Sequence, residues 1–174
     1  MNSVYISYEG RKYRYLKINF SYKNRIKDII AVIMNLNLPF NEVDAGNWEF
    51  VVLELMTNAL RASVEKNSEE KITLHIKIQD TFLITQVIDG AGGFNFKSLP
   101  YDISLPVEEI DLFAPEFEEY RNKYQFERFG IGLYSAKKFA DEFDIQLIDK
   151  EGDFTTEYQK GKISGTFVFI KKSM

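Results

Sequence analysis

Apolar residues in this chain follow two different spacings, and the order of these spacings limits the possible folds. Helical spacing, in which apolar residues recur every three or four positions, occurs in 25–36, 45–66 and 132–143. Alternation at every second position occurs in 4–8, 13–20, 71–79, 82–88, 145–149, 154–158 and 163–170. Hairpins separated by helices predict an α+β fold, a two-layer α/β sandwich in which helices cover one face of a mixed, mostly antiparallel sheet.

Short turn sequences indicate how these segments are connected. Glu9-Gly10 is predicted to join the first two strands into a hairpin, and Asp80-Thr81 to join the next two. The second helix is predicted to begin after Asp44, whose side chain would cap it. The apolar stripe of this helix comprises Phe50, Leu53, Met56, Leu60 and Val64.

The composition favours one soluble domain, because 174 residues with 45% hydrophobic content can build one well-buried core. The net charge of -4 gives no field of one sign to hold a polyanion, so nucleic acid is not an expected partner. The chain has no cysteine, which excludes a disulfide, a thiolate zinc site and a cysteine nucleophile. No apolar run resembles a signal or a membrane span, so we expect a cytoplasmic protein without a membrane partner.

A long segment without regular spacing separates the second hairpin from the third helix. Residues 94–129 contain Pro100, Pro106 and Pro115, two acidic clusters and several aromatic residues. A connection of this length in a compact domain is usually functional or disordered. The two interpretations are a lid over a binding site and a disordered surface insertion, and we favour the lid.

A carboxylate and a carboxamide lie four residues apart on the second predicted helix. Glu54 and Asn58 therefore share one face, at the border of the apolar stripe, where both could face a cavity. A carboxamide oxygen suits Mg²⁺, with phosphates and water as further ligands, and a nearby carboxylate could deprotonate an attacking hydroxyl or water. The alternative, two polar residues on a solvated helix border, is the commoner fate of such a pair in isolation.

An apolar strand ends in one carboxylate and a glycine-rich turn, Asp89-Gly-Ala-Gly-Gly93. A carboxylate in this position can accept a hydrogen bond from an exocyclic amine such as N6 of adenine, and small residues let the backbone approach a flat base. The alternative is a tight turn capped by the aspartate, which is a frequent use of both residue types.

Glycines lead directly into the third predicted helix in the segment Gly130-Ile131-Gly132-Leu133. The amino end of a helix attracts anions through unpaired N–H groups and its dipole, and glycine lets phosphate oxygens come close. A helix start that merely tolerates glycine is the alternative. The chain lacks both the P-loop pattern and an early Gly-x-Gly-x-x-Gly, and its only histidine, His75, is predicted to face solvent from a strand.

The three motifs, in this order and on these elements, resemble those of the histidine-kinase-like ATPase superfamily, which also contains gyrase and mismatch-repair ATPases. The resemblance covers most of the chain and implies the Bergerat ATP-binding fold. The matching segments are Glu54-x-x-x-Asn58-Ala59 for the N-box, Asp89 with Gly93 for the first glycine box, Gly130-x-Gly132-Leu133 for the second, and Gly165-Thr166 for a late Gly-Thr pair.

The resemblance implies ATP and Mg²⁺ as cofactors and a role for each matching residue. Glu54 would be the general base, Asn58 would coordinate Mg²⁺, and Asp89 would bind adenine. Arg61 falls where many relatives place a basic residue against a phosphate, which its planar fork suits. The implied nucleotide-binding residues are Asn58, Arg61, Asp89, Gly93, Gly130, Ile131, Gly132, Leu133 and Thr166.

Within the superfamily, the small size and the segment Ala140-Asp-Glu-Phe143 are similar to the anti-sigma-factor serine/threonine kinases. Residues 21–30, with Asn24 and Arg25, are similar to the start of the first helix in that group. These bacterial switch proteins hold a sigma factor inactive and phosphorylate a serine or threonine of a small antagonist protein. The resemblance therefore implies a sigma factor or an antagonist-like protein as partner, and a homodimer is compatible with it.

The sequence supports two interpretations of function. The first is a protein serine/threonine kinase, which the presence of Glu54 favours. The second is a binding module in which ATP closes the lid and gates a protein contact, with little or no turnover. Ala91 replaces the usual first glycine of its box, Ala62 replaces a usual histidine, and the lid is long and acidic. The alanine at position 91 and the unusual lid favour the binding module.

Overall fold

The computed structural model describes residues 4–125 and 130–174, in which helices pack on one face of a six-stranded sheet. Two short 3-10 helices, Phe96–Ser98 and Val107–Glu109, lie in the connection after the fifth strand. The other elements are β1 (Ile6–Tyr8), β2 (Arg11–Tyr13), β3 (Tyr15–Phe20), α1 (Ile26–Met34), α2 (Glu42–Glu65), β4 (Ile72–Gln79), β5 (Phe82–Asp89), α3 (Pro115–Lys123), α4 (Gly132–Phe139), β6 (Glu142–Asp149), β7 (Phe154–Thr155) and β8 (Ile163–Ser173).

The main sheet has the strand order β3-β4-β5-β8-β6-β7, and each described pair in it is antiparallel. The strand that comes last in the chain, β8, lies between β5 and β6. Asp89 at the end of β5 is therefore paired with Thr166, which lies far away in the sequence.

Alternate residues of neighbouring strands share one buried face, as the sequence spacing predicts. Leu74, Val87, Val168 and Ile145 are successive register partners across four strands, and all are buried. Helices α2 and α4 pack on this face. The predicted fold class, a two-layer α+β sandwich with a largely antiparallel sheet, is confirmed.

The first predicted hairpin divides between two sheets. Strand β1 pairs with β2 across the Glu9-Gly10 turn, in which both residues have positive φ, and these two strands form a separate small sheet. Strand β3 instead pairs with β4 in the main sheet. The physical reason is burial, because Leu16 and Phe20 of β3 reach the core only beside β4.

The ends of two helices differ from those predicted. The N-cap of α2 is Asn41, whose side chain accepts a hydrogen bond of 2.9 Å from the backbone N–H of Asp44, so Asp44 lies in the first turn. Helix α4 ends at Phe139 because Ala140 has extended backbone angles. The chain then enters β6, where Phe143 pairs with Ile170.

The predicted apolar stripe of α2 is correct only in its middle. Met56 and Leu60 are buried, whereas Phe50 and Val64 are 48% and 53% exposed. The buried face also includes Trp48, whose indole N–H donates a hydrogen bond of 2.8 Å to the hydroxyl of Thr85 on β5. This bond fixes the first half of α2 on the sheet.

The segment that follows β5 is folded over residues 94–125 and is called the lid segment below. Ile110 and Phe117 anchor it, since they are 8% and 1% exposed. Lys137 of α4 donates hydrogen bonds to two of its carbonyl oxygens, those of Ile103, at 2.7 Å, and of Leu105. The final part of the predicted lid, 126–129, lies outside the described residues.

Two expectations about the remainder of the chain can be compared with the structure. His75 lies on the face of the sheet opposite the helices, where its ring contacts that of Tyr15 edge-on at 5.7 Å. Among residues 4–125 and 130–174, no helix is long and apolar enough to cross a membrane.

Candidate functional site

A cavity of about 400 Å³ lies between α2, the ends of β5 and β8, the start of α4 and the lid segment. Every residue predicted to bind or act on nucleotide contributes to its lining. These residues are Glu54, Asn58, Arg61, Asp89, Gly93, Gly130, Ile131, Gly132, Leu133 and Thr166. The fold thus brings together motifs that are spread over most of the sequence.

One wall of the cavity carries Glu54 and Asn58, one turn apart on α2. A methyl group placed on Gly132 would lie 3.1 Å from the Asn58 Nδ2 atom and 3.5 Å from the Glu54 Oε2 atom. Arg61, on the next turn, donates a hydrogen bond of 3.3 Å from Nη1 to the Asn58 Oδ1 atom. The polar face of α2 therefore meets the amino end of α4 at close range.

The inner end of the cavity contains Asp89, the last residue of β5. Its Oδ1 atom accepts a hydrogen bond of 2.9 Å from the backbone N–H of Ala91. Burial raises the pKa of Asp89, while this N–H, the Lys66 ammonium and the Thr166 hydroxyl oppose the rise. Asp89 is thus a desolvated acceptor with a fixed direction.

Gly165 makes the closest backbone approach in the site. A methyl group on this residue would lie 1.8 Å from the Asp89 carbonyl oxygen and 3.2 Å from the Gly90 Cα atom. No L-amino acid with a side chain fits there without separating β5 from β8. Packing therefore requires glycine at position 165, and the next residue, Thr166, lies beside Asp89.

Two side chains after α2 hold the turn that follows Asp89. Lys66 donates a hydrogen bond of 2.6 Å from Nζ to the Gly93 carbonyl oxygen, and the Ser68 hydroxyl donates one of 2.8 Å to the Gly90 carbonyl oxygen. Gly93 has a φ of 59°, in the left-handed region that favours glycine. Ala91 has no positive φ and is buried, so alanine fits this position without backbone strain.

The second glycine turn leads into α4 opposite Asn58. Gly130 has a φ of 77°, and a methyl group on it would lie 2.7 Å from the Pro100 Cγ atom of the lid segment. The N-cap of α4 is Ile131, which has no side-chain capping hydrogen bond. The first amides of α4 therefore lack a side-chain cap at the cavity, where an anion could accept from them.

Several lining residues are not indicated by the sequence patterns. The lid segment contributes Ser98, Leu99, Tyr101, Tyr120 and Tyr124, and the end of α2 contributes Lys66. The lid residues lie in a stretch without periodic spacing, which gives no sign of the direction in which each side chain points. Lys66 is the C-cap residue of α2, and the helical spacing that places Asn58 and Arg61 beside Glu54 does not extend to it.

The sequence matches the family described as histidine kinase-, DNA gyrase B-, and HSP90-like ATPase over residues 44–171. This span begins within α2, ends within β8 and includes every residue that lines the cavity. The chain belongs to this family and is an ATP-binding domain. No curated protein shows a significant match to it.

The donor set of the cavity fits Mg²⁺ only in company with phosphates. Among residues 4–125 and 130–174, no three His, Asp or Glu side chains cluster in a way that could hold a metal ion. Asn58 and Glu54 offer the oxygen ligands that Mg²⁺ accepts, and phosphate oxygens and water would supply the others. Arg61 would then have to leave the Asn58 Oδ1 atom.

Proposed function

We propose that this ATP-binding domain transfers the γ-phosphate of ATP to a serine or threonine of a partner protein. The observation that carries this proposal is the placement of Glu54 and Asn58 against Gly132, the first residue of α4. A carboxylate that can accept a proton and an uncapped helix end that can bind phosphate oxygens are thereby adjacent. Phosphoryl transfer requires this combination of positioning and charge stabilisation.

In the proposed reaction, the partner's hydroxyl oxygen attacks the γ-phosphorus, the bond to the β,γ-bridging oxygen breaks, and ADP leaves. Glu54 accepts the hydroxyl proton as general base. Bound Mg²⁺, held by Asn58 and the phosphates, would neutralise charge on the transferred group. Arg61 exchanges its contact with Asn58 for a phosphate oxygen, since its planar fork suits that geometry.

The proposed roles of the remaining residues follow their positions around the cavity. Asp89 accepts a hydrogen bond from N6 of adenine, Thr166 supports it from the paired strand, and Gly93 lets the base approach the backbone. At the other end, the turn formed by Gly130, Ile131, Gly132 and Leu133 binds the phosphates with backbone N–H groups.

We propose a partner of the kind that anti-sigma-factor kinases bind, namely a sigma factor or a small antagonist-like protein. The support is the resemblance of the motifs and of the α1 start. We further propose that the protein acts as a single domain in the cytoplasm, either as a monomer or as a homodimer.

Substitution of Glu54 by glutamine tests the proposed chemistry. Transfer of labelled γ-phosphate to the copurifying partner should fall by about 100-fold or more, because a general base contributes that much, while calorimetric ATP affinity survives. Glu49→Gln, on the same helix but outside the cavity lining, is the control. Unchanged transfer by the Glu54 variant would show that this residue is not the base.

A second function, an ATP-gated protein-binding module, is favoured by one observation. The lid segment lines the nucleotide cavity with Leu99 and Tyr101 and presents acidic side chains to solvent. ATP occupancy could therefore change the surface that a partner meets. This function predicts partner affinity that depends on ATP in both the wild type and Glu54→Gln, with no phosphate transfer by either protein.

A further inference from the structure

The ring of Tyr101 in the lid segment is fixed from two sides. It stacks on Phe117 of α3, with ring centroids 5.5 Å apart and planes at 14°, and meets Tyr134 of α4 edge-on at 6.4 Å. Phe117 is itself 1% exposed, so the stack belongs to the anchored part of the segment. Packing therefore determines where the Tyr101 hydroxyl points.

The hydroxyl oxygen of Tyr101 is buried and has no hydrogen-bond partner among the residues that the structure describes. A buried polar atom without a partner is destabilising, so such groups usually have a ligand, water or functional contact. The residue that carries this oxygen, Tyr101, also lines the cavity that Glu54 and Asn58 line.

The amino end of α4 lies next to this hydroxyl. Burial raises the pKa of Tyr101, and the backbone N–H of Tyr134 opposes the rise without completing a hydrogen bond. Tyr134 is the third residue of α4, within the first turn whose amides have no partner inside the helix. A phosphate oxygen placed between these amides and the hydroxyl would satisfy both.

We propose that Tyr101 is a further ATP-binding residue, whose hydroxyl donates a hydrogen bond to a phosphate oxygen at the amino end of α4. This inference rests on the placement of ATP proposed above. It gives the lid segment a direct contact with the charged part of the nucleotide, so that lid position and phosphate occupancy become coupled.

Tyr101→Phe tests the proposal, because it keeps the ring stack and removes only the oxygen. Calorimetric ATP affinity should fall about 10-fold, the usual effect of losing a hydrogen bond to a charged group, while adenosine affinity stays unchanged. The melting temperature without nucleotide should be equal or higher, because an unsatisfied hydroxyl has been removed. Tyr15→Phe, on β3 away from the cavity, is the matched control and should change none of these quantities.

Each other outcome has a distinct meaning. Unchanged ATP affinity would overturn the proposal, and a lower melting temperature beside it would show that Tyr101 has a structural role. An equal loss of ATP and adenosine affinity would place Tyr101 at the base and also overturn it. If the wild type binds adenosine but gains nothing from phosphates, the proposed phosphate site itself fails, independently of Tyr101.

Discussion

The cavity has two ends that are constructed differently, a strand end formed by 89–93 and 165–166 and a lid end formed by 98–124. At the strand end, backbone atoms of neighbouring strands approach so closely that Gly165 has no room for a methyl group beside the Asp89 carbonyl. At the lid end, long side chains reach inward from a segment held partly by Lys137.

This difference between the strand end and the lid end indicates which end of the cavity can move. The strand end is fixed by the register of β5 and β8 and cannot shift without disturbing the sheet. The lid end is anchored by Ile110, Phe117 and the hydrogen bonds of Lys137, and it lacks strand pairing, so it can open locally at lower cost than the sheet. We therefore expect substitutions at the strand end to affect folding or base binding strongly, and substitutions at the lid end to affect affinity and dynamics modestly.

The largest effect is expected for Gly165→Ala. The added methyl group would overlap the Asp89 carbonyl oxygen, at 1.8 Å, and should reduce the free energy of unfolding by about 3 kcal/mol or more. Chemical denaturation measures this loss. Gly46→Ala in α2 is the control, because it has no neighbour within 4 Å and should be neutral or stabilising. A folded Gly165 variant of normal stability would contradict the rigid strand end.

A smaller effect on folding, but a large one on binding, is expected for Asp89→Asn. Replacing the carboxylate by a carboxamide should weaken ATP binding by about 10- to 100-fold in calorimetry, since the proposed charge-assisted hydrogen bond to the base is lost. Undiminished affinity would overturn the assignment of Asp89 to adenine.

The difference in stability between the wild type and the same variant should depend on pH. Because the folded protein raises the pKa of Asp89, its contribution to stability is complete below the ordinary aspartate pKa and is lost as pH rises through the folded pKa. Without ATP, Asp89→Asn should therefore be at least as stable as the wild type at neutral pH, and lose that advantage in acid. Melting temperatures of the wild type and of Asp89→Asn, measured from acid to neutral pH without ATP, test this expectation.

The smallest effect is expected for Lys137→Met, which removes the ammonium from the carbonyls of Ile103 and Leu105. The lid segment should become more accessible to limited proteolysis, and ATP affinity should fall by about 5-fold, in line with the loss of hydrogen bonds of about 1 kcal/mol. Lys138→Met, on the same helix, controls for the lost charge. If proteolysis is unchanged, Lys137 does not hold the lid, and the contrast between the two ends weakens.

The strand end could be predicted from the sequence because its chemistry lies in short local patterns. Asp89 with its glycines, and Gly165 before Thr166, are recognisable without knowing their neighbours in space. The sequence could not show that alanine fits at position 91, which depends on a backbone angle set by the surrounding turn.

The lid end could not be predicted in the same way. Tyr101 lies in a segment without periodic spacing, so neither its stack on Phe117 nor the burial of its hydroxyl follows from the sequence. The predicted pairing of strand 13–20 with strand 4–8 was wrong for a related reason. Local alternation identifies strands, whereas the burial available beside β4 decides where β3 pairs.

The central position of β8 also has a consequence for the order of assembly. During synthesis, Glu54, Asn58 and Asp89 emerge long before Thr166, so a nascent chain can form α2 and the β4–β5 hairpin while β5 still has an open edge. Pairing of β5 with β8 is a distant contact, which forms slowly in general. ATP can therefore bind only after the sheet is complete. We expect ATP to stabilise the finished fold and not to direct its formation.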